Sequence, residues 1–70
     1  MSGIDPTKLK PIEIRIMQLT AQGLTSREIA AELKMSARTV QNWKQAIYFK
    51  LDVTRAIAAV NLCRLAGVIM

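Results

Sequence analysis

The chain has no histidine and a single cysteine, Cys63, among its 70 residues. No disulfide can form within it, and Cys/His zinc sites, a Cys–His nucleophile and a Ser–His–Asp triad all lack their parts. No catalytic group recurs at a useful spacing, so an enzyme is not expected. Proline occurs only at Pro6 and Pro11, and no Gly/Ser-rich linker, repeat or low-complexity segment interrupts the remainder of the chain. Long apolar runs are missing too: the stretch from Ala56 to Met70 is broken by Asn61 and Arg64 and falls short of the roughly 20 residues that span a bilayer. The N-terminus carries no apolar run after its charges, and Ser2 stands where myristoylation needs glycine, so the expected location is the cytoplasm. A chain of this size holds one small core, and without disulfides or metal it leans on close-packed helices or on a partner subunit.

Acidic residues are scarce in one half only. Residues 1–33 carry four basic and four acidic side chains, whereas residues 34–70 carry six basic ones against Asp52 alone. The whole net charge of +5 therefore sits in the second half. Such an asymmetry favours an electrostatic partner there, with nucleic-acid phosphate the obvious candidate and a merely solvated basic face the alternative.

The periodicity predicts four helices and no strand. The first opens near Pro11, with Ile12, Ile16 and Leu19, joined by Met17, forming the buried stripe, and Gly23 stops it. Thr25-Ser-Arg-Glu28 reads as a capping box, with Leu24 and Ile29 as a hydrophobic staple. The second helix runs through Ile29, Ala30 and Leu33 to about Lys34. Ser36 caps a third through Val40, Trp43 and Ile47 to about Leu51, and Thr54 caps a fourth that runs to Gly67.

The second helix, a turn of about three residues and the third helix outline a helix-turn-helix. Ile29, Leu33, Met35, Val40 and Trp43 fall where two steeply crossing helices touch, and Ala30 is small at their closest approach. An ordinary antiparallel helical hairpin is the alternative on pattern alone. Lys34 occupies the turn position where glycine commonly takes a left-handed conformation, which costs about 1–2 kcal/mol for a side-chain-bearing residue. With Val40 inward, Arg38, Asn42, Gln45 and Phe49 point outward and Gln41 lies on the flank. Asn and Gln can pair with an adenine edge, and Arg38 can reach a guanine or a phosphate. Thr39, Lys44 and Lys50 border this face, where phosphates would fix register. Trp43 reads as core, with base stacking as its alternative. Cys63 reads as a small buried hydrophobe, with redox sensing as its alternative. Phe49 is covered by the fourth helix or by a twin, or marks a partner site.

Leu9-Lys-Pro-Ile-Glu13, Gly23-Leu-Thr-Ser-Arg-Glu28-Ile-Ala30, Leu33-Lys-Met-Ser36-Ala-Arg-Thr39-Val40-Gln-Asn42 and Lys50-Leu-Asp-Val53 together resemble the LuxR/GerE-type DNA-binding domain of quorum-sensing regulators and response regulators. The resemblance covers about residues 9–69. It implies an all-α, tetrahelical helix-turn-helix domain over residues 9–70, preceded by a tail of residues 1–8, that binds double-stranded DNA at inverted repeats as a dimer. It implies that Arg38, Gln41, Asn42 and Gln45 face bases, and that Thr25, Ser26, Arg27, Thr39 and Lys50, with Lys44 at the border, lie near phosphates. Glu13 matches a family acid bonded within the domain. Departures from the family pattern are Trp43 for a common His, Lys34 and Asp52 for common glycines, Gln41 where Lys is frequent, and Ala56 where Arg is frequent.

Between Ala56 and Ala66 only Asn61 and Arg64 are polar, as expected of a helix buried on two sides. Ala56, Ala59, Val60 and Cys63 can close the domain's own core. That leaves Ile57, Ala58, Leu62 and Leu65 for a symmetric dimer, unless residues 1–8 fold back over them. Two functions are expected candidates. One is a stand-alone, nucleoid-associated bacterial transcription regulator that binds a roughly palindromic operator as a homodimer, with the third helix in the major groove. The other is an antagonist that pairs through the fourth helix with a full-length LuxR-type regulator, suggested by the absence of a ligand-binding or phosphoacceptor domain ahead of the motif. RNA polymerase is a further partner of the first; no cofactor, metal, small-molecule ligand or membrane is expected.

Overall fold

A computed structural model describes residues 4–70 as four helices and a short 3-10 turn, with no strand among the described residues: α1 (Pro11–Ala21), α2 (Ser26–Leu33), α3 (Ala37–Leu51) and α4 (Ala56–Leu65). The Ser2 reading and residues 1–3 of the expected tail lie outside the described residues. Residues 4–8 do not hang free of the bundle. Asp5 accepts the Thr7 amide at 2.9 Å and caps the 3-10 turn Pro6–Lys8, which packs against α4. The Ile4 amide donates to the Lys50 carbonyl at 2.7 Å, and Leu9 is buried.

Local chemistry sets the helix ends. Pro11 opens α1 at a position whose N–H has no intrahelical partner in any case, and the Lys10 amide donates instead to Glu13 Oε1 at 2.8 Å. Ile16, Met17 and Leu19 are buried as the stripe predicts, but Ile12 is only half-buried and the fully buried neighbour is Glu13. An apolar count misses this, because a carboxylate is tolerated inside once its oxygens are bonded. Gly23, at φ +93°, turns the chain so that the Leu24 amide reaches the Leu19 carbonyl. The α2 capping box forms in both directions: Glu28 N–H donates to Thr25 Oγ1 at 3.2 Å and Thr25 N–H to Glu28 Oε1 at 2.8 Å.

Three residues, Lys34, Met35 and Ser36, separate α2 from α3. Lys34 takes the left-handed conformation (φ 58°), letting the Met35 amide bond the Ala30 carbonyl at 2.9 Å. Ser36 Oγ accepts the Thr39 amide at 3.1 Å. Asp52 repeats the device at the end of α3 (φ 58°), with the Val53 amide on the Tyr48 carbonyl. The start of α4 differs from expectation. Arg55, extended at φ −122°, is the residue before the helix, so Thr54 lies one position too early to cap, and no side chain among the described residues caps α4. Gly67 (φ +77°) turns the chain after α4, and Ile69 closes onto the core.

The core is one cluster. Ile29 and Ala30 of α2 meet Val40 and Ile47 of α3, while Ile16 and Met17 of α1 and Ala59, Val60 and Cys63 of α4 seal the other side. The most extensive packing is that of α2 on α3, and α1 bridges α3 and α4. Each fully buried Ile or Val here stabilises the fold by about 1.5–3 kcal/mol relative to exposure. Trp43 lies half-buried against this cluster, as its core reading predicts, and burial pushes the Cys63 thiol above its ordinary pKa, which suits a packed thiol rather than a reactive one.

Candidate nucleic-acid interface

The inward pull of Val40, Ile47 and Leu51 orients α3 and leaves its opposite side in solvent. Arg38, Gln41, Asn42 and Gln45 are all exposed there. They line one shallow groove of about 400 Å³ together with Ser26, Lys44 and Tyr48. The four residues expected to face bases are thus brought together, and Ser26, expected near phosphate, stands beside them. None of the four has an intramolecular side-chain hydrogen bond among the described residues, so their donors and acceptors face outward.

Ser26 is placed by the start of α2 and Lys44 by the middle of α3. Lys44 Nζ donates to Ser26 Oγ at 3.0 Å, tying the first turn of α2 to the third turn of α3. Lys44 is half-buried, and desolvation lowers its pKa from the usual lysine value. A cation held at a helix N-terminus is electrostatically unfavourable until an anion joins it, because the helix end already carries partial positive charge. The arrangement can therefore accept a phosphate oxygen between the Lys44 ammonium and the Ser26 hydroxyl at the first turn of α2.

The other border residues divide. Arg27 is exposed. Thr25 Oγ1 is engaged as the cap of α2, which leaves its hydroxyl proton to donate. Thr39 accepts from Ser36 Oγ at 2.9 Å within the α3 cap. Lys50 stands apart: its Nζ lies 2.6 Å from Oε2 of the fully buried Glu13, and its side chain is only about one-third exposed. Burial alone would raise the Glu13 carboxyl, but the Lys50 ammonium and the Lys10 amide together outweigh it and hold the group below the usual glutamate range. Glu13 is thereby bonded within the domain, and the Lys50 amine is turned toward it.

Sequence reasoning does not single out Tyr48. It lines the same groove, half-buried, and desolvation raises its phenol pKa, keeping the O–H protonated as a donor. The available signal is its spacing: Gln41, Lys44 and Tyr48 recur at three and four residues, one helical stripe.

On the far side, the fourth helix leaves Ile57 and Leu65 68% and 86% exposed, while Ala58 and Leu62 are half-buried. The N-terminal turn packs on α4 without covering those two large side chains. Phe49 is 87% exposed, so the fourth helix does not cover it. Among the described residues no helix is long and apolar enough to cross a membrane.

Comparison with known proteins matches residues 8–63 to the family described as bacterial regulatory proteins, luxR family. The chain is 47% identical over 45 residues to a probable HTH-type transcriptional regulator GfsR of Streptomyces halstedii, an alignment covering 64% of this chain and 18% of that protein. It is 34% identical over 59 residues to the transcriptional regulatory protein RcsB of Escherichia coli K12, covering 84% of this chain and 27% of that one. The crystal structure of response regulator ChrA of a heme-sensing two-component system superposes with a TM-score of 0.81 at 38% identity, over 86% of this chain and 30% of ChrA. This chain thus spans less than a third of the length of these relatives, which are named as regulators and not as enzymes.

Proposed function

Since the chain belongs to the luxR family of bacterial regulatory proteins and is a LuxR-type helix-turn-helix DNA-binding domain, we propose that it regulates transcription in the bacterial cytoplasm by laying α3 in the major groove of a roughly palindromic operator as a homodimer. The observation that carries the reading is the groove of Arg38, Gln41, Asn42 and Gln45, four exposed polar side chains on one face of a helix whose other face is fixed by the core. Arg38 presents a guanidinium fork suited to guanine, and the three amides can each donate and accept at an adenine edge. Lys44 with Ser26, Thr25, Arg27, Thr39 and the phenol of Tyr48 hold backbone phosphates around that face. Lys50 supports the site from behind through Glu13.

Ile57 and Leu65, with Ala58 and Leu62 at their flanks, supply the apolar face for a second copy, which would set the two reading helices about one DNA turn apart. The same face could seat the fourth helix of a longer relative, which is the antagonist reading; contact with RNA polymerase belongs to the first. Selection of binding sites from random duplex DNA tests the proposal. It should return an inverted repeat, bound with a log–log salt slope of about −4 for the four phosphates that Arg27 and Lys44 of two copies neutralise. A protein that selects no sequence, or binds without regard to salt, is not this regulator. Loss of a longer relative's promoter protection when this chain is added, with no protection by this chain alone, would favour the antagonist.

A further inference from the structure

The stripe on α3 does not end at the residues proposed to read bases. At about 100° per residue, Arg38, Asn42, Gln45 and Phe49 fall within an arc of about 60°. All three aromatic residues of the chain lie on α3, yet they are treated differently: Trp43 packs on the core, Tyr48 lines the polar groove at half burial, and Phe49 stands 87% exposed on the reading side. An exposed ring costs hydration free energy and returns nothing to the isolated domain.

The end of α3 is not a fraying turn that merely happens to carry that ring. The next residue, Lys50, is fixed through its amine to Glu13 and through its carbonyl to the Ile4 amide, and Asp52 closes the helix in a left-handed cap. The Phe49 backbone is therefore held in line with Gln45, about 6 Å further along the axis. That distance is a little under two base-pair steps of about 3.4 Å. In the major groove the one apolar feature of a base edge is the thymine C5 methyl.

Resting on the proposal that α3 enters the major groove, we propose that Phe49 is a specificity-determining residue that packs on the C5 methyl of a thymine about two base pairs from the pair contacted by Gln45. The contact extends a hydrogen-bonding stripe with an apolar reader. It distinguishes thymine from cytosine and from uracil without any polar atom of its own.

The test uses the full chain and duplexes carrying its selected site, with each thymine replaced in turn by deoxyuridine, which removes the methyl and leaves base pairing intact. The wild-type chain is expected to lose about fourfold in affinity at one position in each half-site, the equivalent of one buried methyl. Phe49→Ala should bind the thymine and uracil duplexes alike at that position, and Phe49→Leu should keep part of the discrimination. An exposed side chain is being changed, so circular dichroism melting should coincide for all three proteins. The proposal is overturned if the wild type ignores every methyl, if Phe49→Ala still discriminates, or if Phe49→Ala alters only self-association in sedimentation. Gln45→Ala provides the separate control. If it shifts the selected sequence while no methyl matters, α3 reads bases and Phe49 does not. If it changes nothing, the major-groove reading fails together with the proposal that rests on it.

Discussion

The second and third helices differ from the fourth in how their ends are specified and in what they show to solvent. Thr25, Glu28 and Ser36 cap α2 and α3 with their own side chains, and Lys34 and Asp52 close them in left-handed turns. Their outer face is polar where it lines the groove and carries the exposed ring of Phe49 near the end of α3. No side chain caps the start of α4, and its outer face exposes Ile57 and Leu65. A helix with local end signals keeps its register when its outer face is spent on hydrogen bonds to DNA. A helix without them draws its order from packing, and a second apolar surface on it gains from being packed twice.

The comparison can be broken most severely at the core that both parts share. Ile47→Ala, which empties a fully buried site on α3, should cost about 2–5 kcal/mol and lower the melting of every helix together; separate transitions for α4 would show that the two parts fold independently. Smaller is the effect of removing one of the side chains proposed to read bases. Gln45→Ala should cost about 1–3 kcal/mol of base discrimination at one operator position with folding unchanged, whereas Leu65→Glu should leave base preference alone and abolish self-association. A titration of variant operators, run beside sedimentation, separates the two faces. Smaller again is the cap. Thr25→Ala should destabilise by about 1 kcal/mol in denaturant unfolding, while Thr54→Ala, whose hydroxyl caps nothing, should be near neutral.

The gentlest test is acid. Glu13 has a folded-state pKa below its ordinary value of 4.5, so its contribution to stability is complete above that value and is lost as pH falls through the lower folded-state value. Melting temperature should therefore decline in that acidic window, and Glu13→Gln should remove this component of the decline. An unchanged profile would mean that the α1–α3 tie is formed equally in the unfolded chain.

Much of the fold is legible in the sequence wherever the cause is local. The capping box at Thr25, the three-residue turn, the left-handed Lys34 and the outward polar stripe of α3 each depend on neighbours no more than four positions from the next, and the structure has them. What escapes depends on distance along the chain. Glu13 and Lys50 are 37 residues apart, so reading α3 alone leaves Lys50 an unattached cation and counts Ile12 where Glu13 is buried. Lys44 looks like a border charge because its partner, Ser26, belongs to another helix. The Thr54 cap fails by one residue, a scale at which helix ends are decided by backbone angles and not by residue type. The base-reading and phosphate roles themselves are statements about a duplex, for which the groove supplies the arrangement.

Lys50 has a consequence for how the domain bears load. Its amine is joined to Glu13 and its carbonyl to the Ile4 amide, so tension applied to the chain at residue 4 arrives first at the end of α3, at a residue that is itself tied to α1. Tension at the C-terminus meets the turn at Gly67, the docked Ile69 and the exposed bond from Arg64 Nε to the Met70 carbonyl, all on or beyond α4 itself, and can peel that helix away turn by turn. A domain held by its N-terminal segment would keep α3 in place under a pull that, applied from the other end, would first undo the apolar face of α4.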